Sequence, residues 1–148
     1  MSAILLDVNV LVALFDPHHI HHDAAHDWFA DHRDNGWATC PITENGLVRV
    51  ISHPAYGAAG ERAASAVERL SAFRASGGHQ FWRDAISLCD DVFDLSRAGG
   101  SKPLTDIYLL GLAVNRKGRL ATFDRSIPLG AVRGATKETL LIISADNG

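Results

Sequence analysis

Nothing in this 148-residue sequence approaches the run of about 20 apolar residues that a membrane-spanning helix needs. The apolar start, Ile4 to Leu6 and then Val8 to Phe15, has no basic leader and is broken by Asp7 and Asn9, so it does not read as a secretory signal. The expectation is a cytoplasmic chain with no membrane partner. Cysteine is scarce as well. Cys40 and Cys89 show no metal-ligand spacing and are expected to be reduced core residues. There is no internal repeat and no low-complexity tract.

A surplus of positive charge is also missing: the formal net charge is -3, which taken alone counts against a nucleic-acid partner. The distribution says something different. Residues 97–138 hold eight Lys or Arg (Arg97, Lys102, Arg116, Lys117, Arg119, Arg125, Arg133 and Lys137) against three acids, so the remainder of the chain is strongly acidic. A basic stretch beside an acidic region suits a local phosphate-binding face, and it suits solvated surface charge equally well.

With 47% hydrophobic and 21% charged residues, the composition is that of one globular domain, expected to span residues 1–148. Ala3 to Leu6 reads as a buried strand, followed by a helix with Val10, Leu11, Leu14 and Phe15 at helical spacing and a stop at Asp16-Pro17. A second helix is expected over Asp23 to His32 and a strand over Trp37 to Cys40. A third helix runs from Pro41 to Ile51, and residues 52–60 break it. Glu61 to Ser76 reads as an amphipathic helix with Val67, Leu70 and Phe73 on its stripe. His79 to Trp82 follows as a strand, Asp84 to Cys89 as a short helix and Arg97 to Lys102 as a loop. Leu104 to Asn115 reads as a helix behind Pro103, and Arg119 to Phe123 and Leu140 to Ile143 as strands. Alternation at these spacings indicates an α/β fold with a mostly parallel central sheet covered on both faces.

Four acids stand where acids are costly. Asp7, Glu44 and Asp106 each have apolar residues at +3, +4 and +7 or nearby helical offsets, which places them on apolar stripes; Asp7 and Asp124 also end strands. The carboxyl ends of parallel strands are where open α/β sheets place their ligands. An unpaired carboxylate out of water costs several kcal/mol unless it is neutralised, hydrogen-bonded or bound to a cation. Each acid taken singly can be a first-turn residue favoured by the helix dipole. Taken together, and with no buried Lys or Arg beside them in sequence, they favour a hard divalent cation, Mg²⁺ or Mn²⁺ rather than Zn²⁺.

The sequence resembles the PIN-domain nucleases, and in particular the VapC-type toxins. The resemblance is carried by Leu5-Leu6-Asp7-Val8-Asn9 followed by Leu11, by Glu44 starting a helix after a strand, by Thr105-Asp106, by Thr122-Phe123-Asp124-Arg125, and by His22 to Phe29 with Ala25 and Trp28-Phe29. It implies a PIN-like three-layer α/β/α sandwich and a Mg²⁺- or Mn²⁺-dependent endoribonuclease. Asp7, Glu44, Asp106 and Asp124 correspond to its catalytic, metal-holding acids. Asn9, Thr105 and Thr122 match supporting polar positions, and Arg125 is a candidate for substrate phosphate or for a salt bridge. The implied partners are a structured RNA such as tRNA or a ribosomal RNA loop, a cognate VapB-type antitoxin, and a second copy of the chain, with Trp28, Phe29, Val67, Leu70 and Phe73 offering more apolar stripe than a small core consumes. Hydrolysis by metal-activated water would leave a 5'-phosphate and a 3'-hydroxyl.

Other readings remain open at this level. Asp7 could be the nucleophile of a phosphatase or phosphoacceptor, although Asn9 and Arg125 stand where such schemes want an acid and a lysine. A PIN-like module could bind RNA or protein without cutting. His18, His19, His21, His22 and His26 invite a zinc or nickel site, but no acid or Cys pattern completes one, and solvated surface or a partner contact fits a polar loop better. Trp28 and Phe29 could stack bases, and their helical spacing favours core or interface.

Overall fold

The computed structural model describes residues 2–56 and 61–144. Among these residues five strands, β1 (Ile4–Leu6), β2 (Trp37–Thr39), β3 (His79–Phe81), β4 (Arg119–Thr122) and β5 (Leu140–Ile142), form one sheet in the order β3-β2-β1-β4-β5. Every neighbouring pair is parallel, with Leu5 opposite both Ala38 and Leu120. Among the described residues five α-helices connect and cover them: α1 (Val8–Phe15), α2 (His22–His32), α3 (Pro41–Ile51), α4 (Ala63–Arg74) and α5 (Leu104–Asn115). Among the described residues no helix is long and apolar enough to cross a membrane.

The strand alternation sorts the core into two layers. Ile4, Leu6, Trp37 and Ala121 face one side and pack with Val10, Leu11 and Phe15 of α1, Phe29 of α2, Leu47 and Ile51 of α3, and Leu70 of α4. Leu5, Ala38 and Leu120 face the other and pack with Ile107, Leu109 and Leu110 of α5. Both faces are covered, so the central strands read as continuous apolar runs rather than as alternating ones. The result is a three-layer α/β/α sandwich.

Helix bounds follow local chemistry. Pro41 opens α3 at its first position, and the Cys40 N–H donates to Thr43 Oγ1 at 2.9 Å, so a backbone donor left over at the helix start is used. The break expected after α3 runs on into residues 57–60, which lie outside the described residues.

Three expectations need correction. Asp84 to Cys89 forms no helix but an irregular path ending in a turn, held by the Asp90 carboxylate accepting from the Ser87 N–H at 2.9 Å. A side chain that satisfies the backbone locally competes with helix formation. Cys40 is buried as expected, whereas Cys89 is exposed on that turn. On α4, Leu70 is buried but Val67 is 52% exposed, because Ala66 rather than Val67 shares the inward face.

The segment between β3 and α5 covers the α5 face without an α-helix of its own, its regular structure being one 3-10 turn at Leu95–Arg97. Phe93 pairs with Val132 across an isolated antiparallel bridge, and its ring lies against Gly111 in the middle of α5. A Cβ at that glycine would sit 2.4 Å from the Phe93 ring. Gly111→Ala is therefore expected to destabilise the fold by about 1 to 3 kcal/mol, despite alanine's better helix propensity. The check is thermal melting. A drop of roughly 2 to 4 °C per kcal/mol is expected for a domain of this size, and an unchanged or raised midpoint would refute the packing.

Candidate active site

Going along the sheet from β1, the strand order runs one way through β2 and β3 and the other way through β4 and β5. The switch point therefore falls between β1 and β4, and a crevice opens at the carboxyl ends of those strands. Asp7 follows β1 and Asp124 follows β4, so the two acids flank this crevice.

Asp7 is only 3% exposed. It caps α1, with Oδ1 accepting from the Val8 N–H at 2.7 Å, and its Oδ2 accepts from the Thr122 hydroxyl at 2.7 Å. Thr122 is fully buried, and its oxygen also accepts from Asn9 Nδ2 at 3.2 Å and from the Asp124 N–H at 3.0 Å. Asn9 Oδ1 receives the Phe123 N–H at 3.4 Å. One hydroxyl thus ties Asp7, Asn9 and the backbone of Asp124 together. Asp124 is held in turn by Ser126, whose N–H and hydroxyl both donate to Oδ1, at 2.8 and 2.6 Å.

Asp106 is the third residue of α5 and is half-buried between these two acids. Burial, with the charges of Asp7 and Asp124 adding to it, pushes its carboxyl up to about 7. Burial also raises Asp7, against the opposing hydrogen bonds from Thr122 and Val8. Asp124 moves the other way: the Ser126 hydrogen bonds hold it below the ordinary carboxylate value, helped by the charge of Lys102.

Glu44 departs from the expected convergence. Its Oε2 accepts from the Thr39 hydroxyl at 2.6 Å and lies 3.2 Å from Arg74 Nη1 of α4. Thr39 also bonds His79 Nε2 at 2.7 Å, and because the hydroxyl proton is committed to Glu44, the histidine is the donor. The expectation of an acid without a basic partner fails here, since Arg74, 30 residues away, supplies one. Among the described residues no three His, Cys, Asp or Glu side chains are gathered closely enough to cage a metal. That holds for the acids and for the His18 to His26 group. Thr105 is exposed and lines a groove of about 480 Å³ with Val8, Ile42 and Asn45. Arg125 is exposed and takes part in no ion pair among the described residues.

Sequence reasoning missed Ser126, Thr39, His79 and Arg74. Asp124-Arg125-Ser126 does carry a signal, because an Asp two residues before a Ser is a common self-bonding turn. Thr39 repeats the position of Thr122, a hydroxyl at a strand's end. Arg74 has no local signal.

Fold and site define the class. The PIN domain family matches residues 4–131, and the chain belongs to that family. Within it the chain is of the VapC type. It is 47% identical to ribonuclease VapC44 of Mycobacterium tuberculosis over 137 residues, covering 92% of this chain and 96% of the relative. It is 45% identical to ribonuclease VapC38 of the same organism over 140 residues, 94% of this chain and 98% of that one. With ribonuclease VapC39 it shares 41% over 131 residues, 88% and 94% of the two chains.

The raised Asp106 value has a signed consequence for stability. A carboxyl whose folded value is about 7 rather than 3.8 binds its proton more tightly in the native state. Its contribution is therefore fully present below 3.8 and is lost as pH rises through 7. Without divalent metal, the protein is expected to melt higher at pH 7 than at pH 8; His19 and His79, both lowered by burial, oppose the gain increasingly as pH falls further through 6.5. Asp106→Asn should flatten this dependence and stabilise the pH 8 protein by about 1 to 2 kcal/mol, water screening of a half-buried group reducing the face value of the shift. Melting curves in EDTA decide it: a variant melting below the parent at pH 8 would make Asp106 an ordinary helix-start residue.

Proposed function

We propose that this chain is a Mg²⁺- or Mn²⁺-dependent endoribonuclease, the toxin of a toxin-antitoxin pair, with its centre at the carboxyl edge between β1 and β4. The observation that carries the reading is the crowding of Asp7, Asp106 and Asp124, with Asp106 pushed up to about 7. Such a site is short of positive charge. The names of the VapC relatives support RNA as the substrate class.

The residues fit a hard divalent ion in a specific sense. Mg²⁺ keeps several waters and is commonly held by one or two carboxylates together with substrate phosphates, not by a complete protein cage. Asp7, Asp106 and Asp124 offer oxygens only, and Glu44 joins them when its carboxylate leaves Arg74. When bound, the ion supplies an activated water and offsets charge on the phosphate. The remaining work falls to the chain. Thr122 and the Val8 N–H fix both Asp7 oxygens, and Asn9 braces Thr122 against rotation. Ser126 keeps Asp124 ionised. Thr105 and Arg125 stand at the rim, where a hydroxyl and a guanidinium can meet substrate phosphate.

A cognate VapB-type antitoxin and a second copy of the chain are the proposed protein partners. The groove of about 450 Å³ between α3 and α4 is of mixed character, with the exposed Val67 beside Val48 and with Glu44, Arg49 and Arg74 at its polar positions, and it is the surface offered to them. A purified chain that stays monomeric and recovers nothing from its native host would refute that part.

For catalysis, Asp7→Asn and Asp106→Asn are each expected to remove Mg²⁺-dependent cleavage of structured RNA by a hundredfold or more (~3 kcal/mol or above at ~1.4 kcal/mol per factor of ten). Glu44→Gln should do the same and Asp124→Asn less, with folded circular dichroism spectra throughout. EDTA should abolish cleavage by the parent. Persistent cleavage in EDTA, or normal activity in two of the first three variants, would overturn the assignment.

A further inference from the structure

The residue four places after Ala13 is Pro17, which has no N–H, so the Ala13 carbonyl in the last turns of α1 lacks its regular helical donor. His22, at the start of α2, takes that place with Nδ1 at 2.7 Å from the oxygen. A carbonyl can only accept, so the proton sits on Nδ1 whatever the charge of the ring. In the neutral ring Nε2 then carries the lone pair. Metal-ligating histidines are commonly oriented in this way, by giving their other ring N–H to a carbonyl.

His26 stands one turn further along α2, exposed, with its ring centre 6.0 Å from that of His22. Among the described residues neither His22 Nε2 nor the His26 ring takes part in a hydrogen bond. An ion about 2.0 to 2.1 Å from an imidazole nitrogen lies roughly 3 Å from the ring centre, so two rings on one ion have centres up to about 6 Å apart. The pair is within that reach, and His26 is free to turn.

The other histidines of the group are committed elsewhere. His19 Nδ1 accepts from the His21 N–H at 3.0 Å, which leaves the proton of its neutral ring on Nε2. His21 is stacked on Phe123, with ring centres 5.0 Å apart. His32 also gives a proton to a carbonyl, that of Trp28, but its ring lies on the Trp28 ring and no histidine stands one turn away. The charges around the pair suit a cation. Asp23 and Asp27 are exposed on the same helix. Arg33 and Arg69, which line a groove with His26, are engaged by Ser76 and by Glu61 with the Phe15 carbonyl.

We propose that His22 and His26 form a second cation site, a two-imidazole chelate for a borderline transition ion such as Zn²⁺ or Cu²⁺, with water in the remaining positions. Its chemistry differs from that of the acids. Oxygen ligands favour Mg²⁺ and Mn²⁺, imidazoles favour Zn²⁺ and Cu²⁺, so the two centres select different ions. With two protein ligands the ion is exchangeable, unlike one in a closed structural cage. Because His22 is tied to α1, a bound ion also braces the corner between α1 and α2. The site does not depend on the ribonuclease reading.

The test is calorimetric titration of the full chain with ZnCl₂ near neutral pH, in millimolar Mg²⁺ to keep the acids occupied. The parent is expected to bind one Zn²⁺ below millimolar concentration. His26→Ala, at a position too exposed to disturb the fold, should weaken binding roughly tenfold or more, because the second imidazole binds at high effective concentration. His22→Ala should do the same, and His18→Ala should bind like the parent. Zn²⁺ should raise the melting midpoint of the parent but not of His26→Ala. With Cu²⁺ as the probe, electron paramagnetic resonance should show two nitrogen ligands in the parent and one in His26→Ala. No binding by the parent below millimolar Zn²⁺, or parent-like affinity in His26→Ala, overturns the site. So does Zn²⁺ binding that survives in His26→Ala and disappears in Asp106→Asn, since the ion then sits among the acids.

Discussion

Asp7 has to be buried and ionisable at once. It ends the central strand and caps the helix that follows, so the chain cannot move it into solvent without losing both β1 and α1. A carboxylate in that position is tolerable only while its oxygens are hydrogen-bonded. The Val8 N–H satisfies one and the Thr122 hydroxyl the other. Because Thr122 is the last residue of β4, the second bond exists only when β1 and β4 lie side by side in register, Leu6 opposite Ala121. Formation of the site and pairing of the two strands at the switch point are in this sense one event.

The same device appears a second time with a different outcome. Thr39 ends β2 as Thr122 ends β4, and each fully buried hydroxyl donates to an acid while accepting from a nitrogen, His79 Nε2 in one case and Asn9 Nδ2 in the other. Around Thr122 the acid lies within electrostatic reach of Asp106 and Asp124, and burial, with those charges adding to it, raises Asp106. Around Thr39 the acid meets Arg74 and is compensated. One side of the edge therefore stores electrostatic strain and the other discharges it. A cation of the right size relieves the first, and the second can release Glu44 only by giving up a partly exposed ion pair, a small cost. Placing uncompensated charge in a crevice that the fold leaves open sacrifices stability for affinity toward whatever brings positive charge, a common exchange at functional sites.

Much of this was legible before any coordinates. The periodicity placed α3 and α5 at their observed ends, because Pro41 and Pro103 mark where helices start and the apolar stripes run unbroken between those starts and the stops. The order of strands and helices indicated a parallel sheet, and the rule for such sheets put Asp7 and Asp124 on one edge. The acids themselves stood out because a carboxylate on an apolar stripe is a local contradiction. Where the reading failed, at Asp84 to Cys89 and at Val67, the deciding factors were a side-chain bond that competes with the helix and a choice between two neighbouring apolar residues for one inward face. Periodicity weighs neither.

What the sequence by itself determined is the set of parts: which residues are charged, which segments are strands or helices, and which acids fall at their ends. These follow from interactions spanning a few residues, and such interactions are written in spacing. The strand order β3-β2-β1-β4-β5, the bond from Thr122 to Asp7 across 115 positions, the stacking of His21 on Phe123 and the diversion of Glu44 to Arg74 were decided only by the tertiary structure. Each joins residues whose neighbours in sequence give no hint of the other. A charge can be read from one residue, but whether it is compensated depends on every group the folded chain brings within a few ångströms of it.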